Sequence, residues 1–507
     1  MIDFKTLQSN PLVSYSPLKP ISITNPINLS QKETQIFDRF KEIIKEKHLT
    51  NIELRVVGGW VRDHLLNVPC NDLDITIKGI DPKTFAEILN EKVNKGKFAI
   101  GTKALKRSEG LEINLTKTKI YDVMIDFVEL KDSALEDAKR RDFTFNALFY
   151  NILENKIEDL LDQGINDLKN GFIRSCSNSE LGVNYNLFPF LRMLRFATRN
   201  QYIIDDKSLS IIANNIKLFQ NELVNPRLKE NIHKEMYLIF SSPNPSFAIN
   251  SLYKLDLLEY VLQIKSGYKD NNKNFFSAKD ILICVNIFIV GKKIYDKYQT
   301  FFERENFDDK YKCSLYSILL TIHMRNFMNN STNILAKMIL ANTLKLEFKE
   351  TIRLLTFFDD FNNFFVKKEY NKLNVGKLLR KILIRNISSM IFISVANEYV
   401  MKINSNEVLD KIDDDTLDNI FKKYFEFYEY MIKEKLENVD EIKPMFDAKR
   451  IKNDFQGLPK HYIGELLDTL VNKQIEANYN LSEEDAIIAL KNKIEELDIK
   501  YKKKNCK

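Results

Sequence analysis

Residues 54–79, LRVVGGWVRDHLLNVPCNDLDITIKG, constrain this chain more than any other stretch. An apolar run ends in Gly58-Gly59, an amphipathic segment follows, and Asp72 and Asp74 then alternate with Leu73 and Ile75. Side chains two apart on a strand point to the same face. Both carboxylates therefore face one side, while Leu73 and Ile75 face a core. Two like charges held close are costly unless a cation sits between them. Mg²⁺ takes hard oxygen ligands, commonly one or two carboxylates plus phosphates. The stretch reads as a metal-phosphate site.

The neighbouring residues extend that reading. Gly58 and Gly59 fall between a strand and a helix, where glycine allows a tight turn and close backbone approach to a phosphate. Without the two carboxylates they would read as a bare turn. Arg62 and Asp63 open the next helix as a surface pair, or Arg62 reaches phosphate oxygens. Asp126 sits in VMIDFV between apolar neighbours, an expensive place for a charge without a task. Asp122 has the same parity and competes for the role. Three acids on adjacent strands can hold two Mg²⁺ around an in-line nucleotidyl transfer. In DAKRRDFTFNALFYN, Arg140 and Arg141 suit a triphosphate. Asp142 and Asn146, one helical turn apart, suit ribose hydroxyls.

The chain has 507 residues, which predicts two to four domains. A net charge of +6 permits a nucleic-acid partner without demanding one. The five cysteines, Cys70, Cys176, Cys284, Cys313 and Cys506, form no CxxC or Cys/His cluster, which argues against zinc and for a reducing compartment. The start, MIDFKTLQSN, lacks a basic region followed by an apolar core, and carries an early acid and no arginine. The expectation is a cytoplasmic location, with a nuclear pool left open and no support for a mitochondrial one. The apolar patch at 280–290 is too short to span a bilayer and reads as a buried helix, so no membrane partner is expected.

Periodicity divides the chain. Residues 1–30, punctuated by Pro11, Pro17, Pro20 and Pro26, read as an extended arm, and 31–47 as a helix. Strands are expected at 52–57, 72–78, 111–117 and 120–130, helices at 60–66 and 83–94, and a strand-like end at 157–161. After about residue 165 the period is helical: 188–199, 208–218, 228–239, 246–255, 279–300, 315–327, 331–342, 346–358, 374–401, 417–435 and 461–475. The fold class is α+β, a head with a small mixed β-sheet followed by an all-helical remainder.

The ordered series GGWVRD, DLDI, IDF, RRDFTFNALFYN, DLLDQGINDLKNGFIR and LRMLRFATRNQYIID resembles the class II tRNA nucleotidyltransferases, the CCA-adding enzymes and their bacterial poly(A) polymerase relatives. The look is nearest the fungal type. The motifs fall within residues 50–240, and FKKYFEFYEYMIKEKLENVDEIKPMFDAKRI resembles the family's tail. The resemblance implies a nucleotidyltransferase head at 31–165, a helical neck at 166–245 that contacts the base, a body at 246–400 and a tRNA-binding tail at 401–507. It implies that Asp72, Asp74 and Asp126 are the catalytic, metal-holding acids. Gly58, Gly59, Arg62, Arg141, Asp142, Asn146, Asn186, Arg192 and Arg195 would bind nucleotide. Asp167 and Arg174 would link head to neck, and 106–116 would be a flexible loop. The implied partners are two Mg²⁺ ions, CTP and ATP as substrates, and the tRNA acceptor arm and 3′ end. The protein is expected to be a monomer.

One departure stands out. The family's base-reading neck motif pairs an Asp with an Arg, and the arginine spacing aligns it with residues 185–189, Tyr-Asn-Leu-Phe-Pro. The Asp becomes Asn186 and the Arg becomes Pro189, which offers no side-chain donor. Shifting the register by three makes Arg192 the template arginine but leaves Pro189 in the Asp position. A later ERxxxE pattern reads Glu230-Asn231 through Glu235, losing another arginine. CMP and AMP addition to tRNA 3′ ends is the leading expectation. The alternatives are a relaxed-specificity, CC-only or oligoadenylating enzyme, and a tRNA-binding or structural protein with weakened catalysis.

Overall fold

The computed structural model describes residues 27–70, 72–96, 100–106, 112–176, 188–264, 276–302, 308–329, 333–340, 344, 349–367 and 370–505. The chain forms two units, 1–267 and 268–507. Most of the expected N-terminal arm lies outside the described residues.

The first unit is built on a seven-stranded mixed sheet in the order β3-β4-β5-β2-β1-β6-β7. The strands are β1 (Glu53–Val57), β2 (Asp72–Lys78), β3 (Gly101–Lys106), β4 (Glu112–Ile120), β5 (Val123–Glu129), β6 (Phe149–Asn151) and β7 (Lys156–Glu158). Only β2 and β5 pair in parallel; β1–β2, β1–β6, β3–β4, β4–β5 and β6–β7 are antiparallel. A two-residue turn, Tyr121-Asp122, joins β4 to β5 with both residues at positive φ. Such turns match strand twist and lock register. The edge strand β3 was not expected, and residues 112–116 of the expected loop belong to β4; 107–111 lie outside the described residues.

Strand alternation sorts the sheet's faces. Phe127 of β5 is buried with Phe40 of α1 (Gln31–Glu46) and Phe85 of α3 (Pro82–Asn94), their ring centroids 5.5–5.8 Å apart. Each fully buried Phe contributes roughly 1.5–3 kcal/mol of burial free energy. Leu73 and Ile75 of β2 are buried as expected. Asp72 and Asp74 alternate with them and are exposed.

The short helix α2 (Gly59–Leu65) is anchored from below. Glu33, in the capping box of α1, accepts Trp60 Nε1 at 2.7 Å and pairs with His64 Nε2 at 3.0 Å. Burial raises the Glu33 pKa, but hydrogen bonds from His64, Ser30 and Trp60 outweigh it and bring it down to about 2. Beyond α4 (Ala134–Lys139), α5 (Gly164–Asn170) and a two-residue strand pair, β8 (Phe172–Ile173) with β9 (Ile203–Ile204), the unit is helical. It comprises α6 (Phe188–Asn200), α7 (Asp206–Asn214), α8 (Ile216–Leu223), α9 (Lys229–Phe240) and α10 (Pro245–Lys254), with α9 and α10 packed on α6. The helix expected at 208–218 is thus two, divided at Asn215, whose side chain bonds back to Ile211 O.

In the second unit the apolar patch at 280–290 lies in α11 (Ala278–Lys297) and is buried. Among the described residues no helix is long and apolar enough to cross a membrane. Asn286 of α11 donates to Glu407 O and accepts Leu409 N, pinning the segment after α14 (Ile387–Ile403). The helix expected at 374–401 is interrupted. α13 (Lys372–Ile382) ends at Leu383, which has φ +72°, and α14 follows a short 3₁₀ turn. Asn386 caps Ile382 O locally, and the distant Asp440 accepts Ile384 N, so both a local and a long-range contact hold the break. Of the helix expected at 331–342, the described residues hold an α turn at Leu335–Met338 continuing as π-helix through 339–340, after a small hairpin, Met328–Asn329 with Asn333–Ile334. α12 (Lys349–Lys367) and α15 (Asp414–Lys433) match expected helices. A C-terminal group, α16 (Ala448–Asp454), α17 (Tyr462–Glu476) and α18 (Glu483–Asn505), closes around Leu466, Leu470, Leu490 and Leu497.

Candidate active site

The exposed side of β2 and β5 carries the acids. The parallel pairing sets Asp74 opposite Asp126 and Asp72 opposite Met124. Asp122, the competitor for the third position, lies in the hairpin turn and pairs with Lys119 at 2.9 Å. Loss of hydration raises the Asp74 pKa, as do the Asp126 and Asp72 carboxylates, while Arg141 and Lys117 pull it down. Asp126 Oδ2 accepts from Lys117 Nζ.

Asp74 opens onto a cavity of about 290 Å³ lined by Gly58, Gly59, Arg62, Arg141, Asp142 and Asn146, and by Arg192, Arg195 and Phe196 of α6. At the end of β1, Gly58 takes φ +73° and ψ −132°, a region essentially closed to residues with a Cβ. The glycine pair leaves that cavity wall without side chains.

The basic residues are held by specific partners. Arg62 donates to Asp63 Oδ1 at 2.8 Å and to Asn146 Oδ1 at 2.7 Å, and lies 5.2 Å from the Phe196 ring centre. Asn146 donates to Asp142 Oδ1 at 3.1 Å, and Arg192 donates through Nε to Asp142 Oδ2 at 2.8 Å. Arg141 is held by the buried Asp137 at 2.8 Å. Arg195 pairs with the buried Glu235 at 2.7 Å and lies 4.4 Å from the Phe196 ring centre. Burial lowers the Arg195 pKa, opposed by Glu235.

The segment at 142–146 owes its shape to packing on both sides. Phe143 and Phe145 are buried and meet Phe196 edge-on at 5.6 and 5.3 Å. Thr144 donates through Oγ1 to the buried Asp167 at 2.6 Å, and Arg174 binds the same carboxylate at 3.1 Å. Asp167 and Arg174 therefore brace this segment from behind.

Of the expected site residues on described chain, all line this cavity except Asp126, which lies beside Asp74 in register on β5, and Asp72, two residues before Asp74 on the same face of β2. Asn186 lies outside the described residues, as do Tyr185 and Leu187; Pro189 falls in the first turn of α6. Sequence reading missed Asp137, Phe196 and Lys117. The spacing of Asp137 four before Arg141 was a usable signal. So was the hairpin arithmetic that sets Lys117 opposite Asp126.

The donor set fits a hard dication, being all carboxylate oxygen on one face with two members in register. Among the described residues no three acidic, imidazole or thiol side chains already converge as a metal cage. Asp126 is turned to Lys117 instead.

A mixed sheet bearing this acid face, followed by helices, has the architecture of a nucleotidyltransferase. Residues 54–174 match the family model described as poly A polymerase head domain. The chain is 24% identical over 528 residues to the CCA tRNA nucleotidyltransferase, mitochondrial, of Saccharomyces cerevisiae, covering 93% of each. It is 26% identical over 504 residues to the Candida glabrata protein of that name, covering 88% of this chain and 92% of the other. A solved structure, the Thermotoga maritima CCA-adding enzyme complexed with tRNA, shares the fold at TM-score 0.59 and 16% identity over 92% of this chain and 96% of that one. Residues 54–174 thus match a poly A polymerase head domain, and the chain is similar over most of its length to CCA tRNA nucleotidyltransferases.

Proposed function

We propose that this protein is a CCA tRNA nucleotidyltransferase, adding CMP and AMP from CTP and ATP to tRNA 3′ ends without a nucleic-acid template. The RNA 3′-hydroxyl attacks the α-phosphorus, its proton is lost, and the bond to the departing pyrophosphate breaks. The observation that carries this reading is the Asp74–Asp126 pair at the mouth of a cavity lined by four arginines and a glycine turn.

Asp72, Asp74 and Asp126 would hold Mg²⁺. Bound there, two such ions would lower the pKa of the attacking hydroxyl and neutralise charge on the leaving pyrophosphate. Arg62 and Arg141 bind triphosphate oxygens against the side-chain-free wall at Gly58 and Gly59. Asn146 meets the ribose hydroxyls, and Asp142 orients Asn146 and Arg192. Arg192, Arg195 and Asn186 address the base. The division into head (31–165), neck (166–245), body (246–400) and tail (401–507) goes with this reading. The helical regions hold the tRNA acceptor arm through shape and phosphates.

The test is incubation of purified protein with tRNA ending before, within and after CCA, supplying one labelled nucleotide at a time. CMP entering twice and AMP once, with no addition to mature ends, supports the proposal. No incorporation on any substrate would reject it in favour of a tRNA-binding role.

Pro189 in the first turn of α6 favours a second reading with the same chemistry and weaker base selection. There its missing N–H costs the helix nothing, but it supplies no base contact. UTP or GTP incorporation onto tRNA lacking its last residue measures this. Asn186→Asp with Pro189→Arg should sharpen C/A selectivity by roughly tenfold per restored contact. An unchanged ratio in a folded, active double variant would move the base reader to Arg192 and Arg195.

A further inference from the structure

Lys117, Asp126 and Asp74 form one row across β4, β5 and β2, each in register with the next. The row is built into the backbone. The Tyr121-Asp122 turn sets Ile120 opposite Val123, and the ladder then sets Lys117 opposite Asp126. On its other side Lys117 faces Gly101 of β3, where an added Cβ would meet nothing within 4 Å among the described residues. Among them the ammonium thus has one carboxylate ahead of it and, at Gly101, no side chain beside it. Lys117 is 54% exposed while Asp126 is 21% exposed, so the lysine can leave more easily than the acid.

Resting on the nucleotidyl-transfer reading, we propose that Lys117 is the resident counter-cation of Asp126, and that a divalent ion loads by exchanging with it. The freed ammonium moves over Gly101 and becomes a ligand for the triphosphate of the incoming nucleotide. No covalent bond changes in this exchange. Two cations compete for one carboxylate, so the lysine weakens ion binding while the nucleotide is absent. A triphosphate draws the ammonium away and removes the competition. Lys117 therefore couples ion occupancy to nucleotide arrival.

The test is Mn²⁺ titration of the full chain, reading free Mn²⁺ by electron paramagnetic resonance without RNA. Lys117→Gln should bind Mn²⁺ roughly three- to tenfold more tightly than wild type, the scale of one partly exposed ion pair. Lys117→Arg, which keeps the cation, should stay near wild type. Adding CTP should narrow the gap between Lys117→Gln and wild type, and in the Asp126→Asn background the gap should vanish. Equal or weaker Mn²⁺ binding by folded Lys117→Gln would overturn the proposal, as would a gap that CTP leaves unchanged. Incorporation by wild type on tRNA is scored separately, so failed nucleotidyl transfer and failed ion exchange give different results.

Discussion

Arg192 donates through Nε to Asp142 Oδ2 at 2.8 Å and pairs with it through Nη2 at 2.7 Å, tying α6 to the segment after α4 across fifty residues of sequence. The same carboxylate orients Asn146, which holds Arg62. Asp142→Asn and Arg192→Gln should each raise the nucleotide KM, and their effects should not add. A double-mutant cycle on kcat/KM should give a coupling of about 1 kcal/mol. Additive effects would mean that the contact does not shape the nucleotide site.

The acid row makes a sharper prediction. Asp74→Asn and Asp126→Asn should each cut single-turnover incorporation by roughly 10³-fold or more, at or above the usual effect of removing one electrostatic stabiliser of a transition state. Asp72→Asn should fall in the same class, and tRNA binding should survive in all three. Asp122→Asn, at the hairpin turn, should keep wild-type rates. A severe defect in Asp122→Asn with mild loss in Asp126→Asn would reverse the assignment.

Glu33 supplies the acid-side stability prediction. Its folded pKa, about 2, lies below the ordinary value of 4.5. The stabilisation is therefore fully present above pH 4.5 and is lost as pH falls towards 2. Discounted for residual solvent screening, it is worth roughly 1–2 kcal/mol. Urea unfolding of wild type and Glu33→Gln should show wild type ahead by that amount at pH 6, with the gap closing below pH 4. A gap independent of pH would assign the effect to packing.

The two glycines should behave differently. Gly58→Ala forces a Cβ into a glycine-only conformation and should lower stability by about 1–3 kcal/mol, seen as a fall in Tm. Gly59 begins α2, and an added Cβ there would lie 3.4 Å from Arg62 Nη2. Gly59→Ala should leave Tm nearly unchanged and raise nucleotide KM, because the methyl group enters the cavity wall. Equal Tm losses would show that both glycines serve the turn alone.

The sequence made the acid face readable through simple alternation: Leu73 and Ile75 are buried, and Asp72 and Asp74 are not. It could not choose between Asp122 and Asp126, because they share parity and only the turn at Tyr121-Asp122 separates them. The helix break at Leu383 carries no glycine or proline to announce it; a local cap by Asn386 and the distant Asp440 hold it together. Edge strand β3, GTKALK, is too polar and short to stand out by alternation. α18 was missed although Leu490 and Leu497 keep helical spacing, because dense charge surrounds them. The cavity's arginines were legible as residues, and Asp137 was within reach of spacing, but the Glu235 partner of Arg195 emerges only from packing.

The parallel pairing of β2 with β5 has a consequence for how the chain folds. Asp74 and Asp126 are joined by a helix and two further strands, and they become neighbours only when that whole crossover is in place. Such a contact is far apart in sequence and slow to form. The unfolded chain offers no comparable binding site, so any ion gathered by this pair reports on the assembled sheet. Its binding energy adds to the stability of the native head by mass action, rising with the logarithm of ion concentration above Kd. The residues that select a catalytic ion would therefore also make that ion a folding ligand.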